Sequence, residues 1–210
     1  MTIEILNVGE SGSIIRSKIN SNFAEVKPTF GRPTSRFYPV FEGSVATGTA
    51  VGAADLIYAM PFELKEPITL TALVLRVATG GAGSSVKMGI WAHDPTTGRP
   101  LGLAITNAVS NSGVSTATSS ATASQAATAT LAPGFYWACM VFTGTPPTCV
   151  SANDSAVMSK FLGRASLSSN ATIGGLSTSF SFSGDITTLN LTGTTWTDVS
   201  GGVPVMNLGN

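Results

Sequence analysis

Apolar positions recur in two rhythms along this chain, and the change of rhythm divides it. Near the N-terminus Ile15, Ile19 and Phe23 fall at i, i+4 and i+8, with Val26 three residues on, so they line one face of a helix. Ser11 or Ser13 can cap that helix, and Pro28 limits its far end. Isolated helices under about 12–15 residues are marginal in water, so this one needs something to lie against. Residues 28–42 follow, with Pro28, Pro33 and Pro39 spaced along an extended linker. Phe30, Phe37, Tyr38 and Phe41 make the linker sticky, and part of it is expected to lie on a body or a neighbouring subunit.

From residue 43 the rhythm is that of strands. Residues 56–62 form a short apolar run ending near Pro61, and residues 68–79, bounded by Pro67 and Gly80-Gly81, read as one β-branched strand. Residues 86–92 and 101–109 are two more strands, joined by a turn of the Asp-Pro…Gly type over 93–100. Pro133-Gly134 launches 135–142, an unbroken apolar run that reads as a central strand. The Ser/Thr/Ala-rich stretch 107–130 predicts two thin strands, at 114–118 and 126–131. Residues 156–165 fit a helix or a strand. Residues 177–183, 186–191 and 194–199 complete the set. Roughly eight to ten short strands at such intervals predict a mainly β fold, an antiparallel, jelly-roll-like β-sandwich over 43–210. It is preceded by the N-terminal segment 1–27 with its short helix and the linker 28–42.

Charge changes this picture. The chain has 11 basic and 11 acidic residues in 210, or 10% charged, against about 25% in ordinary soluble domains. From Leu101 onward the only charged residues are Asp154, Lys160, Arg164, Asp185 and Asp198. A surface so poor in charge implies one hidden in an oligomer or covered by neighbours. Zero net charge argues against electrostatic capture of nucleic acid or an anionic membrane. No run reaches the roughly 18 apolar residues of a membrane span, and the opening residues lack a signal-peptide layout.

Candidate chemistry is sparse. His93 is the only histidine, and its Asp94-Pro95 neighbours place it in a turn. No nucleophile elbow, phosphate loop, metalloprotease or dinucleotide motif occurs. Asp185 and Asp198 are carboxylates that only an unknown fold could pair. The expectation is a protein that is not an enzyme and takes no cofactor or metal. A sugar site needs an aromatic face beside planar polar groups. Trp91 with His93, Asp94 and Arg99, and Trp196 with Asp198, are the candidates, although Trp91 and Trp137 read first as core.

One segment carries a resemblance. Asn7, Gly9, Gly12, Arg16, Lys18, Asn20, Asn22 and Phe23 stand in the order Asn-x-Gly-x-x-Gly-x-x-x-Arg-x-Lys-x-Asn-x-Asn-Phe. This resembles the N-terminal segment of many tailed-bacteriophage fibre, spike and related virion proteins. The match spans residues 7–23 of the 210. Val8 stands where the family commonly has Thr, and Ile14 and Ile15 where it has Leu nearby.

The resemblance implies a non-enzymatic virion structural protein, assembled in the bacterial cytoplasm and anchored to capsid or tail. Its attachment or oligomer surface would comprise Asn7, Gly9, Gly12, Ile15, Arg16, Lys18, Ile19, Asn20 and Phe23. Its partners would be two further copies in a homotrimer, other capsid or tail proteins, and a host-surface glycan, with no nucleic acid and no membrane insertion. Cys139 and Cys149 flank a turn at 143–147, as if across a hairpin, and in such a cytoplasm they read as two buried thiols rather than a disulfide. Two other readings are a free lectin-like carbohydrate-binding module, which leaves residues 1–42 without a purpose, and a capsid decoration or tail-adaptor protein without a receptor role.

Overall fold

A computed structural model describes residues 53–152, 173–200 and 202–210, the strand backbone of 37–39 and 45–51, and the single residues Ser11, Ile14 and Leu162. The chain divides into two units, Met1–Arg32 and Pro33–Asn210. The expected N-terminal helix lies outside the described residues, as do Asn7, Gly9, Gly12, Ile15, Arg16, Lys18, Ile19, Asn20 and Phe23. So does the ambiguous stretch 156–165, Leu162 apart.

The described part of the second unit is mainly β. In chain order its strands are β1 (Phe37–Pro39), β2 (Val45–Val51), β3 (Leu56–Leu64), β4 (Ile68–Thr69), β5 (Ala72–Thr79), β6 (Ser85–Asp94), β7 (Arg99–Val109) and β8 (Val114–Ser115). Then come β9 (Thr122–Ala126), β10 (Thr130–Leu131), β11 (Gly134–Thr143), β12 (Thr148–Ala152), β13 (Ile173–Ser179), β14 (Thr197–Ser200) and β15 (Met206–Gly209). A six-stranded sheet runs β1-β15-β5-β12-β2, with β9 also on β5. A seven-stranded sheet runs β14-β13-β3-β11-β6-β7, with β8 also on β6, and β4 pairs with β10 alone. All pairings between these strands are antiparallel. Phe37–Pro39, inside the stretch read as linker, pairs with β15.

Alternation explains the core. Ala138, Met140 and Phe142 of β11 join Met60, Phe62, Met88 and Ile90 of the same sheet in one buried cluster, with the partly buried Tyr136 packed against it. Leu73, Leu75, Cys149, Met206 and Leu208 of the six-stranded sheet belong to that cluster too. The intervening residues of β11, Trp137, Cys139 and Val141, lie in a second cluster with Ile57, Ala59, Trp91 and Leu176. From Trp137 to Phe142 β11 is continuously apolar, and both its faces are buried there. Gly89 makes room there: a Cβ on it would sit 2.8 Å from the Trp91 ring and 2.8 Å from Val109.

The second cluster is closed by Phe180, Phe182, Ile186, Leu189, Leu191 and Trp196. Residues 186–191, expected as a strand, begin instead with a 3-10 turn, Ile186–Thr188. Asp185 decides this locally. Its Oδ1 accepts from the Thr187 amide at 2.9 Å, capping the turn and favouring it over an extended path. A cover with so little ladder bonding is held by side chains. Lys87 of β6, 5% exposed, donates through Nζ to Asn111 Oδ1 (2.8 Å), Phe182 O (2.6 Å) and Gly184 O (2.9 Å). The same ammonium lies 4.7 Å from the centre of the Phe182 ring. Asp55, at φ 58°, accepts from the Phe182 amide through Oδ1 at 2.7 Å and from the Phe180 amide through its carbonyl at 3.1 Å.

Other expectations shift for local reasons. The run over 56–62 continues through Pro61 to Leu64, because β13 pairs only with residues 56–59 and Pro61 interrupts no ladder on that side. The strand expected over 68–79 is broken at Leu70-Thr71. There the Leu70 amide donates to Ala129 O and the Thr71 amide to Gly209 O, both at 2.9 Å, as the chain changes partners from β10 to β15. The two thin strands expected at 114–118 and 126–131 are met only in part: β8 keeps residues 114–115 and β10 residues 130–131, while β9 forms at 122–126, mostly in the stretch expected as their connecting loop. Cys139 and Cys149 do not face each other across a hairpin: β11 and β12 belong to different sheets and the thiols to different clusters, unbridged and buried.

One glutamine joins the sheets. In an antiparallel strand the N–H and C=O of a residue point to the same side. Met88 points both toward a gap on β6, since β8 pairs only with Ser85 and Val86 and β7 begins pairing at Gly89. Gln125 of β9, 4% exposed, fills that gap. Its Oε1 accepts from the Met88 amide at 3.0 Å and its Nε2 donates to Met88 O at 2.7 Å. The side-chain amide stands in for a missing peptide unit.

Gln125→Ala leaves both Met88 groups buried without partners, and a loss of about 3 kcal/mol is expected in urea unfolding. A loss under about 1 kcal/mol would show that the clamp contributes little. Burial also pushes the Cys149 thiol up to about 12 and Cys139 well above its usual value. An unfolded chain ionises its thiols near pH 8.5. Their contribution to stability is therefore complete below about pH 8.5 and falls as pH rises toward about 12. Cys149→Ala should flatten that alkaline decline, measured as the urea midpoint against pH.

Candidate functional site

Where the cover stops, the outer face of the seven-stranded sheet comes into the open. Phe135 lies two residues before Trp137 on β11, hence on the same face, and is 46% exposed. Across from it on β3 stands Glu63, exposed and paired with it in register. On the other side, at the end of β6, stands His93, half-buried, its ring centre 5.6 Å from that of Phe135 and tilted 47° to it. Glu63, Phe135 and His93 thus form one row across three neighbouring strands.

The row has a fixed floor. Trp137, 1% exposed, stacks on His93 at 6.3 Å with 12° between the rings. Its Nε1 donates to His93 Nδ1 at 3.1 Å. With Nδ1 accepting, the neutral imidazole carries its proton on Nε2, which no described residue accepts. The indole therefore sets both the tilt and the tautomer of the histidine. Trp137 is core, as read from the sequence, and so is Trp91, 0% exposed, whose Nε1 donates to Leu189 O at 3.4 Å.

Asp94 has another task. Its Oδ1 accepts from the Thr96 amide at 2.8 Å and its Oδ2 from the Thr97 hydroxyl at 2.7 Å. The Gly98 amide donates to its carbonyl at 2.8 Å, and Gly98 takes φ +65° to close the hairpin. The Thr97 hydroxyl first, then the Thr96 amide, hold this carboxyl below the usual range. Both oxygens are committed to the turn that positions β6 against β7.

Trp196 and Asp198 lie elsewhere. Asp198 is exposed on β14 opposite Leu176, and Trp196 packs on the second cluster with its Nε1 buried and unpaired among the described residues. From β14 to β6 is four strand spacings, about 19 Å. The two groups of sugar-site candidates therefore lie in separate places, and of all of them only His93 belongs to the aromatic row. Among the described residues no group of three His, Cys, Asp or Glu is placed to hold a metal ion. No helix of the described residues is long and apolar enough to cross a membrane.

No protein-family model matches the chain, and no curated protein matches it. The site rests on its own chemistry: an exposed aromatic face flanked by an N–H donor and a carboxylate acceptor. Sequence reasoning missed Phe135 and Glu63. A continuous apolar run hides which residue lies past the end of its cover, and Glu63 has no motif around it.

His93→Ala removes the acceptor of the buried Trp137 N–H. A destabilisation of about 1–3 kcal/mol is expected in thermal or urea unfolding. An unchanged midpoint would mean that the indole finds another partner and does not fix the histidine.

Proposed function

We propose that the chain is a non-enzymatic structural protein of a tailed-phage virion, a fibre or spike component. The N-terminal segment fixes it to capsid or tail. The second unit projects as a jelly-roll-like β-sandwich of the two sheets and contacts glycans on the host surface. The observation that carries this reading is the division of the chain after Arg32. The residues whose spacing resembles a virion anchor, Asn7 to Phe23, belong to the first unit, and the β strands belong to the second.

Two features support it. The charge-poor body suits a protein held among neighbours, here two further copies in a trimer. The row of Glu63, Phe135 and His93 stands on the central strands of a sheet, where a contact surface keeps its shape. A free lectin-like module is the second reading, and the aromatic row alone favours it. A decoration or adaptor protein would share the anchor but leave the row without a role.

Removal of residues 1–28 separates the readings. The truncated protein should keep the circular dichroism and unfolding midpoint of the full chain and be absent from purified particles. Incorporation at the full-length copy number would overturn the anchor, and a full-length protein never found in particles would favour the free module.

A further inference from the structure

The aromatic row has a chemical preference of its own, whose use in binding rests on the reading of the body as a glycan-contacting module. We propose that Glu63, Phe135 and His93 form one subsite for an uncharged pyranose, whose C–H face stacks on Phe135 while its hydroxyls bridge the imidazole and the carboxylate.

The dimensions suit a single ring. Glu63 and His93 flank Phe135 on β3 and β6, two strand spacings or about 10 Å apart, which one sugar ring with a hydrogen bond at each end spans. Phe135 offers a half-exposed ring between them, and such a face takes up apolar C–H surface.

The polar ends select the ligand. His93 Nε2 is a donor, because Nδ1 already accepts from Trp137. The Glu63 carboxylate is an acceptor only. A ligand group for this pair must accept at one end and donate at the other. An ammonium donates to the carboxylate but has no lone pair for the imidazole N–H. A carboxylate sugar satisfies the imidazole but meets Glu63 with like charge. Hydroxyls do both, so an uncharged polyol is the ligand that leaves neither group unmet.

The subsite is also preformed. Trp137 holds His93 by stacking and a hydrogen bond, and the Asp94 turn holds the end of β6. Little ordering therefore remains to oppose binding. Each site alone is weak, and several copies on one particle raise the avidity.

The test uses the full-length protein on an array of immobilised neutral hexose and N-acetylhexosamine glycans, sialylated and uronate glycans, and amino-sugar polymers. Binding to neutral glycans is expected. Phe135→Ala should lower it at least tenfold, Phe135→Tyr should keep it, and Glu63→Lys should move preference toward the acidic glycans. Unfolding midpoints of all three variants establish that they fold. Binding confined to acidic or amino glycans overturns the proposal, as does neutral binding undiminished in Phe135→Ala, or no binding to any probe. Particles carrying Phe135→Ala should hold the protein at the wild-type copy number. A full-length protein missing from particles counts against the virion reading alone, because the array result stands without it.

Discussion

A sheet that is apolar on both faces must be covered twice, and this requirement governs the body. One face of the seven-stranded sheet shares a cluster with the six-stranded sheet. The other is covered, among the described residues, mainly by residues 180–196, which include a single short 3-10 turn, Ile186–Thr188, with Leu162 also packed against it. Such a segment has few ladder bonds to hold it in place. Lys87 supplies the anchor, with its three Nζ protons meeting three oxygen acceptors. A buried ammonium is tolerated only when its donors are met. Two of those acceptors are backbone carbonyls of the cover itself, so the charge and the segment depend on each other.

Charged groups are few elsewhere, and several polar side chains of the body are bound up in backbone work. Gln125 completes a ladder across the gap on β6. Asp55 grips the cover, Asp94 shapes the hairpin, and Asp185 caps the 3-10 turn. The Asp185 carboxyl sits below its usual range chiefly through the Thr187 hydroxyl and amide, with the Lys87 charge adding last. Carboxylates whose residue type alone could suggest catalysis are here acceptors for neighbouring amides. A chain with so little charge spends it on closing turns.

The aromatic row arises from the same geometry. Val141, Cys139, Trp137 and Phe135 succeed one another on one face of β11. The first three are buried, while Phe135 emerges half-exposed. What leaves Phe135 half-exposed is its place beyond the buried residues of that face, not its own identity. The row inherits rigidity from the covered sheet behind it, through the Trp137 indole.

Much of the body was legible in the residues. The unbroken run at 135–142 announced a central strand, and residues 93–100 announced their turn, because both signals are local. Period-2 patterning locates faces, but it does not say which distant strand lies beside them or where a cover ends. Hence the split at Leu70-Thr71, the separation of Cys139 from Cys149 into different sheets, and the exposure of Phe135 came only with the tertiary structure. His93 was visible as a candidate, yet its tautomer depends on Trp137, 44 residues away in sequence. Sequence alone determined that this chain would build sheets with two kinds of face. The long-range register of those sheets decided which side chains were buried and which were left exposed.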